Sequence, residues 1–419
     1  MLQSFLNAWR LPDLRKKLLF TAFIIAVYRL GCYIPVPGVD VKAVQQAFSN
    51  SAGGVLDFYN LFTGGGLQRV ALFAMGIMPY ITASIIMQLL TMVIPKLEAL
   101  MKEGEAGQKK VNQYTRYFTV ILALIEAIGF VFLFDKQYNA FTNVGGLTPE
   151  RFWLVVFSLT VGTALVMWMG ELITQRGIGN GISLMIFASI VSRLPGGLQA
   201  LFRLNPAYWV LMAVVSVAVI GFVIYITEGQ RRIPIQYAKR VVGRKVYGGQ
   251  STYLPLRINM AGVIPVIFAS SVLLFPVTLM QMTRWSWAVS IAKNIGPNSW
   301  WYVLAEVLLI IAFTYFYTAV QFNPIDQADN LKKYGGFIPG IRPGRPTAAY
   351  LDRVLTRITL PGSLFLAGIV LLPTVLYKVA HIPFSFGGTS LLIVIGVALD
   401  TMKQMESQLL MRHYEGFLK

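Results

Sequence analysis

The sequence is short of charge, of histidine and above all of cysteine. Asp, Glu, Lys and Arg make up 13% of its 419 residues, while 56% are hydrophobic and the mean hydropathy is +0.61. Soluble chains carry about a quarter charged residues, so the solvent expected for most of this one is lipid. The single Cys32 excludes a disulfide within the chain. Two histidines, His381 and His413, cannot build a His/Cys metal cluster, so neither metal nor cofactor chemistry is expected. Also missing are the Gly-x-x-x-x-Gly-Lys phosphate loop, the His-Glu-x-x-His zinc helix and the Gly-x-Ser-x-Gly elbow. The chain is therefore read as a non-enzyme, and any nucleotide hydrolysis belongs to a partner.

Acid is scarcer than base, 18 residues against 36, for a formal charge of +18. In a membrane protein that excess belongs in cytoplasmic loops facing anionic lipid or other anionic partners. Arg10, Arg15, Lys16 and Lys17 precede the first apolar run in the manner of a signal peptide, but the run is long and further spans come after it. It reads as a first transmembrane helix.

A spanning helix needs about 20 mainly apolar residues. Ten candidates fall at approximately 18–36, 73–94, 116–134, 152–172, 179–194, 208–227, 258–282, 301–322, 356–376 and 385–404. The even count puts both ends on one side. Of the basic residues, 26 lie on that side, 9 lie opposite and Arg29 falls within the first span, which makes both termini cytoplasmic. The expected fold is an all-α polytopic membrane protein. The stretch 195–207 divides it into halves 1–200 and 201–419 of five spans each; because five is odd, the halves are inverted, as a pseudo-symmetric repeat requires.

Several stretches depart from a plain bundle. Between the first two spans, Val55, Leu56, Asp57, Phe58, Tyr59, Asn60, Leu61 and Phe62 lie between Gly53-Gly54 and Gly64-Gly65-Gly66. Too short to cross a bilayer, the segment (about 55–65) presents Val55, Phe58, Tyr59 and Phe62 on one face. It suits either an interfacial helix or a mobile element hinged by glycine. The second span mixes Pro79, small residues and Gln88, and the fifth opens on Gly177-Ile178-Gly179-Asn180-Gly181, both compatible with ordinary packing and turns. Among ionisable residues in the spans, Arg29, Glu171, Glu306 and Asp400 lie near span ends, whereas Glu126 is nearer mid-span. A lone central acid is more often a paired structural residue than a coupling site.

Two long loops, about 228–257 and 323–355, carry much of the basic bias. The first holds Ala238-Lys239-Arg240 and, with alternating Ile235, Tyr237 and Val241, suits a hairpin-like finger. The second holds Tyr334-Gly335-Gly336-Phe337-Ile338-Pro339-Gly340-Ile341-Arg342-Pro343-Gly344, whose glycines and prolines fix an exposed Arg342.

These two loops, Gly76-Ile77-Met78-Pro79-Tyr80-Ile81, Gly177 to Ser183, and the Tyr414-Glu415-Gly416 tail together resemble the SecY family of the bacterial Sec translocon, in order and from end to end. The resemblance implies a protein-conducting channel of ten helices in the plasma membrane, clamped by SecE with SecG peripheral. It implies an apolar pore ring at Ile77, Ile81, Ile182, Ile186, Ile267 and Ile393, the last placed least firmly. It makes the short helix a plug, through Val55, Leu56, Phe58, Tyr59, Leu61 and Phe62. It puts Thr82, Gln88 and Ser271 at a lateral gate between spans two and three and spans seven and eight, where signal sequences and nascent membrane proteins would insert. Lys239, Arg240 and Arg342 match docking positions for the motor SecA or the translating ribosome, including ribosomal RNA. The alternative is an ion-coupled solute carrier with Glu126 as its coupling acid.

Overall fold

The computed structural model describes residues 9, 11–50, 55–196, 199, 206–237, 240–242, 245–247, 251–282, 290, 299–380 and 388–416. It is helical apart from two small sheets. The chain divides into two compact units, one of Met1–Asn205, Ser270–Val303 and Gly396–Lys419, the other of Pro206–Ala269 and Leu304–Ile395.

The first unit holds α1 (Pro12–Gly31), α2 (Val41–Asn50), α3 (Val55–Phe62), α4 (Met78–Val93), α5 (Pro95–Lys102), α6 (Glu105–Tyr138), α7 (Pro149–Arg176) and α8 (Gly181–Val191). Local chemistry sets the helix ends. Thr148 caps α7 by accepting from the Arg151 N–H at 3.4 Å, with Pro149 in the first turn and Arg176 in the last. Asn180 caps α8 through the amides of Ile182 and Ser183, at 3.1 and 3.4 Å. The second apolar run begins at 73, yet α4 starts only at Met78, because Gly76 takes a positive φ of 56° and Pro79 favours the first turn. At the other end Pro95 holds Ile94 extended, and the chain turns by 98° into α5.

Helix α6 is the spine of this unit, packing on α2, α4, α5 and α7. An aromatic column runs along it: Tyr59 of α3 meets Phe130 edge-on at 5.2 Å, Phe130 stacks on Phe134 at 5.9 Å, Phe134 meets Tyr138 at 6.3 Å, and Tyr138 meets Phe48 of α2 at 5.6 Å. Gly162 of α7 passes so close to the Leu72 carbonyl that a Cβ there would overlap its oxygen.

The second unit holds α9 (Pro206–Glu228), β1 (Gln230–Tyr237), β2 (Arg240–Val242), β3 (Lys245–Tyr247), β4 (Ser251–Arg257), the start of α10 (Ile264–Met282), most of α11 (Trp300–Gln321), α12 (Pro324–Lys333), β5 (Gly336–Phe337), α13 (Arg345–Ala380) and the start of α14 (Gly388–Gly416). The sequence-predicted finger is an antiparallel pair, β1 against β4 from Gln230↔Arg257 to Gln236↔Ser251, with β2 and β3 paired between them in sequence. β5 joins the other edge of β1, so the sheet order is β4-β1-β5. Alternation along β1 points Ile233 and Ile235 inward. Ile233 joins Leu256, Phe322, Ile338, Leu351, Val354 and Leu355 in one buried cluster, so both basic loops are built on a single apolar base.

Four described stretches are long and apolar enough to cross a membrane, Glu105–Lys136, Pro149–Arg176, Trp300–Lys333 and Arg345–Leu372, and α4 with α5 would form a fifth as a bent pair.

Candidate functional site

The second half of the short helix α3 lies inside its unit. Tyr59, Leu61 and Phe62 are buried, and α3 packs on α8. The Tyr59 hydroxyl faces two acceptors, Glu126 Oε2 at 3.1 Å and the Met75 carbonyl at 3.3 Å. Glu126, the mid-span acid, is thus engaged by a tyrosine from a non-spanning helix.

The turn that leaves α3 is tied at several points. The Gly65 amide donates to the Asn60 carbonyl at 3.0 Å, and the Gln68 amide to Asn60 Oδ1 at 3.1 Å. Asn60 Nδ2 reaches Gln68 Oε1 at 3.4 Å, and the Leu67 amide donates to Thr63 Oγ1 at 3.4 Å. Arg29 closes the turn from α1, donating to the Gly64 carbonyl at 3.1 Å. Its guanidinium and that of Arg69 lie near the Tyr33 ring, 5.4 and 4.1 Å from the centroid. The positive φ of Gly64 and Gly65 makes this winding possible, and their neighbours then fix it.

Of the six predicted ring residues, Ile77, Ile81, Ile182 and Ile186 belong to the first unit and Ile267 and Ile393 to the second. Ile77 precedes α4 and Ile81 lies one turn on, both buried; on α8, Ile186 is buried and Ile182 half-buried. Ile267 and Ile393 are buried on α10 and α14.

Thr82, predicted at the gate, satisfies its own hydroxyl by donating to the Met78 carbonyl at 3.1 Å. Thr115, Thr119, Thr160, Thr163, Ser189 and Thr314 do the same one turn back, the usual way for a hydroxyl to sit in an apolar helix. Ser271 is the exception. Only 2% exposed, its Oγ has no hydrogen-bond partner among the described residues, and the same holds for buried Asn259 Oδ1. Gln88 is half-buried, and its backbone carbonyl accepts from Thr91 Oγ1 at 2.7 Å.

Arg342 is exposed at the tip of its loop, with Thr347 Oγ1 donating to its carbonyl at 2.8 Å. Lys239 lies outside the described residues, as do the side chains of Arg240, Val55, Leu56 and Phe58. Sequence reasoning missed the Tyr59–Glu126 contact, for which the coincidence of a mid-span acid and an aromatic helix face was the available signal. It also left unassigned Arg116 and Glu171, which pair at 2.6 Å between α6 and α7. Among the described residues no group of His, Cys, Asp and Glu is placed to hold a metal.

The SecY family model matches residues 71–402. A protein translocase subunit SecY from Streptomyces coelicolor is 50% identical over 437 residues, covering 100% of both chains. A solved SecY structure, described in terms of a plug domain that stabilises the closed state of its channel, superposes with a TM-score of 0.63 at 21% identity over 94% of this chain and 92% of that one. Sec61 from a canine ribosome-channel complex gives 0.60 at 19% identity over the same shares.

Proposed function

Because the chain belongs to the SecY family, we propose that it forms a gated protein-conducting channel that moves unfolded secretory polypeptides across the bacterial plasma membrane and releases transmembrane segments sideways into lipid. The end-to-end identity to a translocase subunit carries this reading. In it, ten helices cross the membrane as two inverted halves, 1–200 and 201–419, with both termini cytoplasmic. Ile77, Ile81, Ile182, Ile186, Ile267 and Ile393 form a constriction at mid-membrane. An apolar constriction excludes ions by dewetting yet grips no particular side chain, as a conduit for many sequences must.

In the resting channel α3 is the plug. The burial of Tyr59, Asn60, Leu61 and Phe62 supports that role, since an eight-residue helix cannot span a bilayer and yet these residues lie inside the unit. Thr82, Gln88 and Ser271 line the lateral gate, where polar contacts worth about 1 kcal/mol each hold the seam and break at modest cost. The buried Ser271 hydroxyl, without a hydrogen-bond partner among the described residues, suits a surface that exchanges partners. Lys239, Arg240 and Arg342 dock SecA or the translating ribosome, whose RNA is an anionic match for the basic loops. SecE clamps the channel, SecG associates at its edge, and anionic lipid faces the cytoplasmic loops. Direction comes from the partner's nucleotide hydrolysis or from chain elongation.

The test places a photo-crosslinking residue at Ile81 and arrests a secretory polypeptide in transit. The channel reading expects an adduct that requires a functional signal sequence. Crosslinking confined to the cytoplasmic loops, with arrest confirmed independently, would overturn it.

A further inference from the structure

The buried contact between Tyr59 and Glu126 joins an element that must leave to an element that borders the gate. Tyr59 is 4% exposed and Glu126 6%, so neither group exchanges its partner with water in this state. Their hydrogen bond spans 3.1 Å between α3 and the middle of α6, and the Tyr59 ring packs edge-on against Phe130 one turn further along α6. One residue later the chain is fixed: Asn60 is cross-tied to Gln68 and Gly65, and Arg29 holds the Gly64 carbonyl. The two attachments differ in kind. The last turn of α3 and the turn after it are secured to α1 and to each other, whereas Tyr59 is secured to α6.

We propose that the Tyr59–Glu126 hydrogen bond couples α6 to the plug, so that displacement of α6 at the lateral gate frees α3 up to Tyr59 while its last residues and the Asn60–Gln68 turn stay in place as the pivot. The inference rests on the channel reading, in which α6 is the third span and borders the gate. A signal sequence that parts the gate moves α6 and draws the Glu126 carboxyl from the Tyr59 hydroxyl, which removes the shorter of the two hydrogen bonds that hold Tyr59 inward. Breaking the bond strands the buried Glu126 carboxyl, which has no other hydrogen bond among the described residues, while the Tyr59 hydroxyl keeps the Met75 carbonyl at 3.3 Å, so the cost of separating the two elements falls on α6. The coupling also sets a threshold: a segment too weakly bound at the gate to shift α6 leaves the plug seated.

The test uses the full chain, purified with its co-purifying subunits and reconstituted in liposomes, with potassium efflux read without substrate and polypeptide import read with strong and weakened signal sequences. Tyr59→Phe keeps the ring and removes the hydroxyl. It is expected to raise substrate-free efflux about tenfold, the scale of one lost buried hydrogen bond, and to admit weakened signal sequences. Glu126→Leu should do the same, and the double variant should leak no more than either single one, since both remove one bond. Glu126→Gln keeps an acceptor and should hold efflux within about twofold of the unsubstituted chain. Unchanged efflux in Tyr59→Phe, or additive effects in the double variant, would overturn the coupling alone if the unsubstituted chain imports polypeptide. An unsubstituted chain that imports none would overturn the channel reading and the coupling with it.

Discussion

At the scale of single residues, the closest approaches are made where a side chain is missing. Gly162 lets α7 pass the Leu72 carbonyl, and Gly181 lets α8 pass the Gly170 carbonyl, with no room for a Cβ at either point. Gly162→Ala is expected to destabilise the first unit by about 1–3 kcal/mol through overpacking against backbone that cannot rotate away. A lower midpoint of thermal unfolding in detergent, with Gly221→Ala as a control at a glycine with open space around it, checks this. These glycines read in the sequence only as small residues in apolar runs; that two of them face carbonyls was set by the packing of distant segments.

Sequence and structure part most clearly over hydroxyls. A threonine in an apolar helix is expected to donate to the carbonyl one turn back, and Thr82, Thr160 and Thr314 do so. Ser271 carries the same local chemistry and does not.

Among the elements, α2 shows how one carboxylate fixes the start of a helix. Asp40 Oδ1 accepts from the amides of Lys42 and Ala43 at 2.9 and 3.3 Å, capping α2, while Oδ2 accepts from Asn143 Nδ2 at 2.7 Å across to the loop between α6 and α7. The Asn143 hydrogen bond first, and then the Ala43 amide, hold the Asp40 carboxyl below the usual carboxylate range. A depressed pKa means that the folded state favours the ionised form. Its contribution is therefore complete above about pH 4, the value for an unfolded aspartate, and is lost as pH falls through the lower folded value. Hydrogen exchange at the α2 amides should accelerate in that acidic window, and Asp40→Ala should show the fast exchange already at neutral pH. If exchange is pH-independent once corrected for intrinsic rates, the cap does not hold α2.

The elements themselves were largely legible. The short helix at 55–62, the break at Pro95 and the finger after α9 reflect periodicity, proline and alternation. The start of α4 was not. Residues 73–77 are as apolar as the helix they precede, but they wind into a buried non-helical turn, tied in part by the Gly76 amide to the Phe73 carbonyl at 2.9 Å. Apolar composition reports burial and leaves the backbone conformation open.

For the whole molecule, the formal charge of +18 and the basic residues of the two long loops, about 228–257 and 323–355, argue for anionic partners. Arg342 is exposed on a loop anchored by Ile338 and the cluster around it, so its charge is presented without structural duty. Arg342→Glu is expected to weaken binding to ribosomes about tenfold at low salt while leaving the unfolding midpoint unchanged. The gap to the unsubstituted chain should narrow as ionic strength rises, since screening removes the charge effect. A loss that is independent of salt would assign Arg342 a shape contact instead.

The sequence by itself determined the lipid solvent, the helical class, the positions of the apolar runs, the basic loops and the family, because each of these depends on composition, local spacing or an ordered set of motifs. Tertiary structure alone decided that Glu126 meets Tyr59, that Arg29 holds Gly64, that Asp40 meets Asn143 and that the Ser271 hydroxyl finds no partner among the described residues. The four outcomes share a physical reason. Each depends on which side chain a distant segment brings within about 3 Å, and hydrogen bonding at that range is not encoded in any local window of the chain.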